Sequence, residues 1–553
     1  MGVLPLGPVI PGHFSYYFIF SSILLCVWLF RPTSKRPEVD VPLYKASRRK
    51  WMFEADTLIR DSYSKFKDSI YQIRATEGPR ILIPVRLLPE LKSLPEETLS
   101  AQEAVNEALL GQYTHFSAGP HSETLSKLLR NNLSQRLSRL APRLKRELEF
   151  ITAQEFPQCD DWTPFKAQPF IVRTVARLSG CTFAGQALSR AEAWMDTSIN
   201  YATTVFLAAI KLQFFPKWAR PAAQYLISDL YEIPRMVDRA EAMLRPIIEE
   251  RLRNDVETSE RYYDDEKAGE DAEEEKPDDF VQWFLDALPD DQKTRFDVQA
   301  HLQLILSAAS IHTTSNLVTD CIYDLAEHQD MQEILREEAS EILEHDHHHY
   351  DEEDGCGGEG GWFEKDSLAK LRKMDSFMRE SQRLHGNVTS FIRKVMRPID
   401  LSDGTHLPAG ASLLAPLAGV SRDDRFYPDA ETFDGLRFWR LQQAVERERA
   451  LQATKYGRAR REGGSDTENN NNNNNGRWQF TSIGDTNTNF GLGRHACPGR
   501  FFAAAEAKMI LAHLLLRYDI KLREGQGRPS PMMFMMTKCP SPTAEVLFRR
   551  RRR

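Results

Sequence analysis

The chain has few cysteines and no closely spaced pair of them. Its 553 residues include seven cysteines, an odd number, and none forms a CxxC pair. They are scattered as Cys26, Cys159, Cys181, Cys321, Cys356, Cys497 and Cys539. This pattern argues against a disulfide framework and against a zinc site built from paired cysteines. It favours a protein whose body lies in a reducing compartment.

A strong excess of charge of either sign is also absent. The formal net charge is −7, so the chain as a whole is not expected to bind nucleic acid by bulk electrostatics. No internal repeat is apparent, which argues against a solenoid or an array. The composition is globular, with 41% hydrophobic residues, and the chain is long enough to bury a large core.

One long uncharged run stands near the N-terminus. Phe14–Phe30 is rich in aromatic residues and reaches the lower limit of length for a membrane-spanning helix. A cleaved signal peptide, the alternative, would need a basic start and a small-residue cleavage site, and neither is present. Basic residues follow the run and none precedes it, so the positive-inside rule places the rest of the chain in the cytoplasm. We predict a short non-cytoplasmic N-terminus over 1–13, a single-pass transmembrane anchor over 14–30 and a proline-rich, basic connector over 31–50.

The remaining chain shows no clean internal boundary, so we predict one large domain over 51–548. Its pattern is mainly α with a smaller β part. Charged, glycine-rich or asparagine-rich stretches mark insertions near 257–279, 345–361 and 456–477, and such stretches are typical of surface loops. The purely basic tail, 549–553, is expected to be a solvated end.

Helical periodicity is clearest in three stretches. Ala222–Leu252 has apolar residues at three- and four-residue spacing, and Pro234 and Pro246 are expected to divide or kink it. Phe296–His328 is the longest uninterrupted pattern, without proline or glycine. Arg500–Tyr518 is a third amphipathic helix.

β structure is predicted at two places. Ile81–Val85 has the composition of a strand, and its proline favours a position at a sheet edge. Asp403-Gly404 lies between two short apolar segments and predicts a hairpin turn there.

The stretch Phe490–Gly499, FGLGRHACPG, carries the strongest indication of chemistry. Its glycines permit backbone conformations that are closed to other residues and allow close approach to a flat ligand. Cys497 stands just before a helix, where unpaired N–H groups and the positive end of the dipole favour a thiolate. A thiolate is a suitable axial ligand for ferric iron. On spacing alone, a buried structural cysteine in a tight turn is an equal alternative.

This stretch resembles the haem-binding loop of the cytochrome P450 family, F-x-x-G-x-R-x-C-x-G. Phe490, Gly493, Cys497 and Gly499 match the pattern, and the resemblance implies that Cys497 is the axial ligand of haem iron. His495 replaces the family's arginine, which contacts a haem propionate. Histidine can still donate a hydrogen bond, but its charge depends on pH.

Two further motifs follow the family's order. Glu380-Ser381-Gln382-Arg383 resembles its E-x-x-R motif, and Phe433–Phe438 resembles the segment that supplies a second arginine, Arg437. The resemblance implies a buried network of Glu380, Arg383 and Arg437 that holds the cysteine loop. As a lone pattern, E-x-x-R describes many surface ion pairs equally well.

The third motif lies in the long helical stretch, where Ala309–Thr314 (ASIHTT) is similar to the family's A-G-x-D/E-T-T. Consecutive threonines are poor mid-helix residues, because their hydroxyls bond back to carbonyls and bend the helix. The resemblance implies that Thr313 helps to deliver protons during oxygen activation. His312 stands at the position of the acid and could shuttle protons near neutral pH, while Ser310 replaces glycine.

The resemblance, which extends nearly along the whole chain, implies a P450 fold and a haem-thiolate monooxygenase. It implies haem b as cofactor, NADPH as the indirect electron source, a membrane-bound NADPH-cytochrome P450 reductase and, as a further partner, cytochrome b5. The expected substrate is an apolar small molecule held near Ala309, Val388 and Thr389. The wording of the motifs is similar to fungal enzymes of secondary metabolism, such as ent-kaurene-oxidase-like enzymes.

The expected location is the endoplasmic reticulum membrane, with the catalytic domain in the cytoplasm. The cations Arg494, Arg500 and Lys508 are expected to meet an acidic reductase. Two alternatives remain open from the residues. One is a haem-thiolate isomerase or dehydratase that needs no reductase, and the other is a non-catalytic haem-binding membrane protein.

Overall fold

The computed structural model describes residues 39–75, 78–264, 276–350, 365–461 and 476–552. The predicted anchor over Phe14–Phe30 lies outside these ranges, as do 1–13 and most of the connector. Within the ranges, no helix combines the length and the apolar character that a membrane crossing requires.

The described chain is mostly helical with a smaller β part, as the sequence predicted. The longer helices carry most of the fold, and short helices connect them. In chain order the helices are α1 (Arg48–Phe53), α2 (Ala55–Phe66), α3 (Leu88–Leu91), α4 (Ala101–Ala108), α5 (Gly111–Thr114), α6 (Ser122–Leu128), α7 (Leu137–Glu155), α8 (Ala167–Phe183), α9 (Gln186–Arg190), α10 (Glu192–Gln213), α11 (Arg220–Ala223), α12 (Ser228–Asp264), α13 (Phe280–Ala287), α14 (Phe296–Glu327), α15 (Gln329–Tyr350), α16 (Lys365–Lys370), α17 (Arg372–His385), α18 (Leu417–Val420), α19 (Arg437–Arg461) and α20 (Arg500–Arg517).

The strands form one larger sheet and several small ones. They are β1 (Leu43–Tyr44), β2 (Tyr71–Ala75), β3 (Gly78–Leu82), β4 (Leu99–Ser100), β5 (Thr163–Phe165), β6 (Ser390–Val395), β7 (Ile399–Asp400), β8 (His406–Leu407), β9 (Ser412–Ala415), β10 (Tyr518–Lys521), β11 (Met532–Phe534), β12 (Thr537–Cys539) and β13 (Val546–Arg550). The larger sheet has the order β1-β2-β3-β9-β6-β4, and β10, β13 and β5 form a second sheet. The strands β7 and β8 pair antiparallel around Asp403-Gly404, so the predicted hairpin is present.

The central element is α14, whose apolar residues are buried by helices on several sides. It packs against α8, α10, α12, α17 and α20, and most of its residues from Gln299 to Ala326 are buried. It corresponds to the predicted pattern Phe296–His328 almost to the residue. Because α20 also packs on α14, the segment that follows Cys497 is fixed against the centre of the domain.

Helix starts are encoded locally. Ser100 precedes α4 and its Oγ accepts a hydrogen bond from the N–H of Glu103 at 2.9 Å, which is the cap expected of an S-x-x-E sequence. Asp279 precedes α13 and accepts from the N–H of Gln282 at 3.1 Å.

Several boundaries differ from the sequence-based expectation. Pro234 and Pro246 do not divide the helical stretch predicted over Ala222–Leu252, since α12 runs through both without a break. This helix also continues to Asp264, inside the predicted loop 257–279. Likewise α15 extends to Tyr350 and α19 to Arg461, inside the other two predicted insertions. Within these insertions, residues 265–275, 351–361 and 462–475 lie outside the described residues.

The basic tail is not wholly a solvated end. The strand β13 extends to Arg550 and pairs with β10, with Arg549 opposite Asp519. Nη2 of Arg549 lies 3.1 Å from Oδ2 of Asp519, and its guanidinium stacks over Trp162. The first two arginines of the tail therefore belong to the fold.

Candidate active site

The loop before α20 is folded back on itself around Cys497. The backbone N–H of Cys497 donates to the carbonyl of Phe490 at 2.7 Å. Gly491 and Gly493 have φ angles of +76° and +65°, in the region that favours glycine. A Cβ on Gly491 would stand 2.6 Å from the carbonyl oxygen of His495. The glycines of this motif are therefore required by the closed shape of the loop.

Two further contacts of the loop, its packing against Lys92 and the open space beside Cys497, involve glycines. A Cβ on Gly493 would stand 2.3 Å from the carbonyl oxygen of Lys92, whereas a Cβ on Gly499 would meet no atom within 4 Å. Gly493 thus permits close packing behind the loop, and Gly499 borders open space beside Cys497. Such open space next to a half-buried thiol fits a large flat ligand.

Two opposing influences act on the sulfur of Cys497. Burial raises the pKa of the thiol, while hydrogen bonds from the N–H groups of Gly499 and Arg500 and the charge of Arg500 lower it. Burial is the largest influence on the pKa, and the N–H groups at the start of α20 act against it, in the direction that the sequence predicted. The same N–H groups would stabilise a metal-bound thiolate, since metal coordination deprotonates a thiol outright.

The central helix α14 also has exposed side chains in its middle. Ala309 and Thr313, one turn apart, are exposed although the neighbouring residues Ile311 and Thr314 are buried. Exposure in the middle of a central helix means that these side chains border a cavity. On the side of the cysteine loop, Phe501 is 42% exposed. An aromatic side chain and a methyl group are suitable contacts for a flat apolar ring system.

Unpartnered polar atoms lie around the cysteine loop. Nε of Arg500, Oδ1 of Asn489 and Nε2 of His495 are buried without a hydrogen-bond partner. Nε2 of His495 lies 3.2 Å from a carboxylate oxygen of Glu96, but outside hydrogen-bond geometry. Buried polar atoms normally find partners, so the loop presents donors and an acceptor for a ligand with polar substituents.

Arg393 on β6 is a candidate that the sequence reasoning missed. It is buried, its guanidinium stacks over Phe391 at 4.5 Å, and burial lowers its pKa to about 10. After burial, the charge of Arg393 is the next influence that lowers the pKa of His495, so the two side chains lie close together. Arg393 is the cationic candidate for the propionate groups of a haem, and His495, whose lowered pKa favours the neutral ring, is a candidate hydrogen-bond donor to them. A single arginine in a strand gave no signal in the sequence.

The ASIHTT segment places its polar side chains on different sides of α14. Thr313 Oγ1 donates to the carbonyl of Ala309 at 2.8 Å and approaches that of Ser310 at 3.2 Å. His312 Nε2 lies 2.9 Å from the carbonyl of Ile199 on α10, so this nitrogen carries the proton and donates. Ser310 Oγ instead faces α8.

Glu380, Arg383 and Arg437 are in direct contact. Nη2 and Nε of Arg383 lie 2.7 and 2.8 Å from the two oxygens of Glu380. Nε of Arg437 lies 3.1 Å from Oε1 of Glu380, which is wholly buried. The arginines also donate to carbonyls between 421 and 432. The network therefore ties α17 to the segment before α19.

The predicted substrate-contact and docking residues differ in their exposure. Val388 is completely buried, and Thr389 is 6% exposed and donates to Sδ of Met536 at 3.1 Å. Of the three substrate candidates, Ala309 alone is exposed. Lys508 is buried, with its Nζ 2.7 Å from Asp375, so it is unavailable for a docking surface, contrary to the expectation.

Comparison with known proteins identifies the family. The family model for cytochrome P450 matches residues 102–548, which is most of the chain. The chain belongs to the cytochrome P450 family. Cytochrome P450 monooxygenase AN1598 of Emericella nidulans is 32% identical over 89% of this chain and 83% of its own length. Cytochrome P450 monooxygenase braC of Annulohypoxylon truncatum is 30% identical over 96% of both chains. Cytochrome P450 monooxygenase olcJ of Penicillium canescens is 33% identical over 89% of this chain and 83% of its own length.

This P450 is a monooxygenase that uses haem b, with electrons from NADPH through a reductase. Members of the family act with redox partner reductases on small-molecule substrates. Haem b supplies the redox chemistry that activates oxygen. The protein's own contribution is to hold, orient and shield that group and to manage protons.

Proposed function

We propose that Cys497 is the axial ligand of the haem and that the enzyme oxidises an apolar small molecule of a fungal secondary-metabolite pathway. The observation that carries the proposal is the open, half-buried thiol of Cys497. It follows two glycines, Gly491 and Gly493, whose positive φ angles other residues rarely adopt, and it accepts hydrogen bonds from N–H groups at the start of α20. Phe490, Gly493 and Gly499 shape this loop, and His495 and Arg393 are assigned to the propionates.

The roles of the α14 residues follow from their exposure. Ala309 borders the cavity with a methyl group and is assigned to substrate contact. Thr313 borders it with a hydroxyl one turn later and is assigned to proton delivery. His312 binds the backbone of α10 through Nε2, which supports a role in fixing the two helices, and its free Nδ1 is available as a proton acceptor.

Val388 and Thr389 are assigned a supporting role, since both are buried. They hold the segment between α17 and β6 that faces the substrate region in this proposal. The Glu380 network holds the segment before α19 and thereby the loop that presents Cys497.

We place the enzyme at the endoplasmic reticulum membrane, anchored through residues 14–30, with NADPH-cytochrome P450 reductase and cytochrome b5 as partners. Exposed apolar side chains in the connection between α10 and α12 support membrane contact. Trp218, Tyr225 and Leu226 are 75%, 69% and 66% exposed. Exposed apolar clusters of this kind mark protein or membrane interaction sites.

The experiment that tests the function is oxygen incorporation. The full chain in membranes is supplied with NADPH, isotopically labelled O2 and a library of terpenoid and indole compounds, with and without reductase. One labelled oxygen atom per product, formed only with reductase, is expected. Turnover without reductase or O2 would instead establish an isomerase or dehydratase.

A further inference from the structure

Tyr201 on α10 and His301 on α14 each hold a buried polar atom without a partner. Oη of Tyr201 and Nε2 of His301 make no hydrogen bond, and Tyr201 is completely buried. The two rings meet edge to face, with their centroids 6.4 Å apart. Because an unpaired buried polar group is costly, two of them side by side indicate that a further molecule completes the contact.

Tyr201 differs in this respect from other buried tyrosines of the described chain. Four of these have a hydrogen-bond partner for the hydroxyl group: Tyr63, Tyr71, Tyr323 and Tyr427. The ring of Tyr201 instead packs against Phe116, with centroids 6.2 Å apart, and belongs to an apolar cluster that includes Val205 and Leu304. The hydroxyl group of Tyr201 therefore stands in apolar surroundings that offer it no acceptor.

His301 lies on the face of α14 that borders the cavity. Most residues of α14 from Gln299 to Ala326 are buried. The residues that keep exposed surface on this face are His301, Ala308, Ala309, His312, Thr313 and Asn316. Their spacing of three, four, seven and eight residues is that of one helix face. The imidazole of His301 therefore shares a face with Ala309 and Thr313, about two turns closer to the start of the helix.

The two side chains are neutral and have complementary roles. Burial raises the pKa of Tyr201. Burial also lowers the pKa of His301, with His115 acting in the same direction, whereas the charge of Asp297 and a hydrogen bond to the backbone of His115 raise it. A hydrogen bond that raises a histidine pKa is one that the ring donates, and Nε2 has no partner, so Nδ1 carries the proton. Nε2 of His301 is then an acceptor, and the hydroxyl of Tyr201 supplies a donor.

Resting on the proposed function, we propose that Tyr201 and His301 bind a hydroxyl group of the substrate, at the end remote from the carbon that is oxidised. The substrate hydroxyl accepts from Oη of Tyr201 and donates to Nε2 of His301. A carbonyl group can only accept, and a carboxylate or an ammonium group would bring an unpaired charge into an apolar site. Tyr201 and His301 are thus specificity-determining residues that select an alcohol.

Helix geometry sets the length of this substrate. His301 and Ala309 are separated by eight residues, which is ~12 Å along α14 at a rise of about 1.5 Å per residue. A molecule that reaches both positions has the size of a polycyclic terpenoid. The reaction that supplies it must install or preserve a hydroxyl group at one end.

The first test measures the free protein. Without substrate, Tyr201→Phe should unfold at the same temperature as the parent or higher, because the hydroxyl group has no partner to lose. Tyr71→Phe is the matched control, since it breaks the contact with Ser62 and should lower the unfolding temperature. A lower unfolding temperature for Tyr201→Phe would show that its hydroxyl is already paired in the free protein, as by a buried water, and would overturn the proposal.

The second test measures binding. The full chain is titrated with matched pairs of tricyclic and tetracyclic terpenes, each a hydrocarbon and its mono-alcohol, and binding is followed by the Soret shift and by the rise in unfolding temperature. The alcohols should bind about tenfold more tightly, which is the size of one or two net hydrogen bonds. Equal affinity for both members of every pair would overturn the proposal.

Two variants assign the preference to the pair. Tyr201→Phe removes the donor, and His301→Asn keeps a donor near the position of Nδ1 but lacks Nε2. Each should reduce the preference for the alcohol and leave hydrocarbon binding unchanged, whereas Tyr71→Phe should keep the preference. A preference that is undiminished in both Tyr201→Phe and His301→Asn would place the hydroxyl elsewhere and overturn the proposal.

Product analysis gives an independent outcome. In an alcohol that is turned over, the new oxygen should lie at the opposite end of the molecule, ~12 Å from the hydroxyl group, and oxidation beside the hydroxyl group would contradict the proposal. The haem-thiolate spectrum separates the two levels of the account. Its absence from the parent protein would refute the proposed function, whereas a normal spectrum without any preference for alcohols would refute this inference alone.

Discussion

Glu380 and Glu506 are equally buried but have opposite surroundings. Glu380 is fully paired with two guanidinium groups, whereas Glu506 meets a serine hydroxyl. The paired arrangement holds Glu380 in place between two arginines, whereas burial without a cation raises the pKa of Glu506 to about 8. Two equally buried carboxyl groups in this P450 therefore differ because only Glu380 has counter-charges to offset its burial.

At this scale we predict that Glu380→Ala destabilises the domain. Two buried arginines would lose their counter-charge, at a cost of about 3–5 kcal/mol in the free energy of unfolding, and haem incorporation should be lost because the cysteine loop is no longer held. Denaturant unfolding and the haem-to-protein ratio measure these effects. The control is Glu232→Ala, which removes an exposed ion pair to Arg239 worth about 0–1 kcal/mol. Normal haem content in Glu380→Ala would contradict the structural role.

The motif residues could be predicted from the sequence because each meets a constraint set by its neighbours in the chain, such as a backbone angle or a shared helix face. Gly491 and Gly493 adopt positive φ angles, and Glu380 and Arg383 share one helix face. The role of Arg393 and the contact of Ser179 with Glu506 could not be predicted, because they join residues far apart in sequence. The contact between Ser179 and Glu506 spans 327 positions, and only the packing of α8 and α20 against α14 creates it.

At the scale of elements, α14 is held to the C-terminal strands by charge. Arg528, in the loop between β10 and β11, lies 2.7 Å from Asp320 and 2.5 Å from Asp324. Burial raises the pKa of Asp324, but His385 and Arg528 outweigh it and lower the pKa to about 2. One guanidinium therefore joins the central helix to a loop about 200 residues later.

We predict that Arg528→Ala costs about 3–5 kcal/mol of unfolding free energy, since it leaves buried aspartates without their partner. Arg528→Lys should recover only part of this, because an ammonium group cannot reproduce the two-pronged contact. Thermal unfolding should rank the parent as the most stable, Arg528→Lys as intermediate and Arg528→Ala as the least stable. Equal stability of the lysine variant and the parent would contradict the argument that only a guanidinium group can bind both aspartates.

Sequence periodicity located the elements well and their ends poorly. The pattern in Phe296–His328 corresponds to α14 because the burial of that helix spans its whole length. The prolines of α12 were expected to interrupt it, but a helix packed on neighbours tolerates the loss of a hydrogen bond that an isolated helix does not. Charged stretches were read as loops although α12, α15 and α19 extend into them.

At the scale of the whole molecule, the exposed apolar side chains support the proposed orientation of the catalytic domain relative to a membrane. The apolar residues between α10 and α12 form the most exposed aromatic surface of the described chain. Together with the predicted N-terminal anchor, this surface would place the body against a membrane. An apolar substrate dissolved in lipid would then meet the enzyme without crossing water.

We predict that Trp218 contacts lipid. In vesicles containing brominated lipids, the tryptophan fluorescence of the full chain should be quenched, and Trp218→Phe should reduce the quenched fraction. Trp162→Phe is the control, because Trp162 is covered by Lys521 and Arg549 and should not contribute. Equal quenching in the parent and in Trp218→Phe would exclude contact at this surface.

The most direct test of the central claim is the carbon monoxide difference spectrum of the reduced protein. With Cys497 as axial ligand, the Soret band should be strongly red-shifted, and Cys497→Ala should abolish that band. Cys539→Ala is the control, since Cys539 lies in β12 and its sulfur accepts from Asn316. A red-shifted band that persists in Cys497→Ala, or well-folded parent protein without haem, would contradict the account.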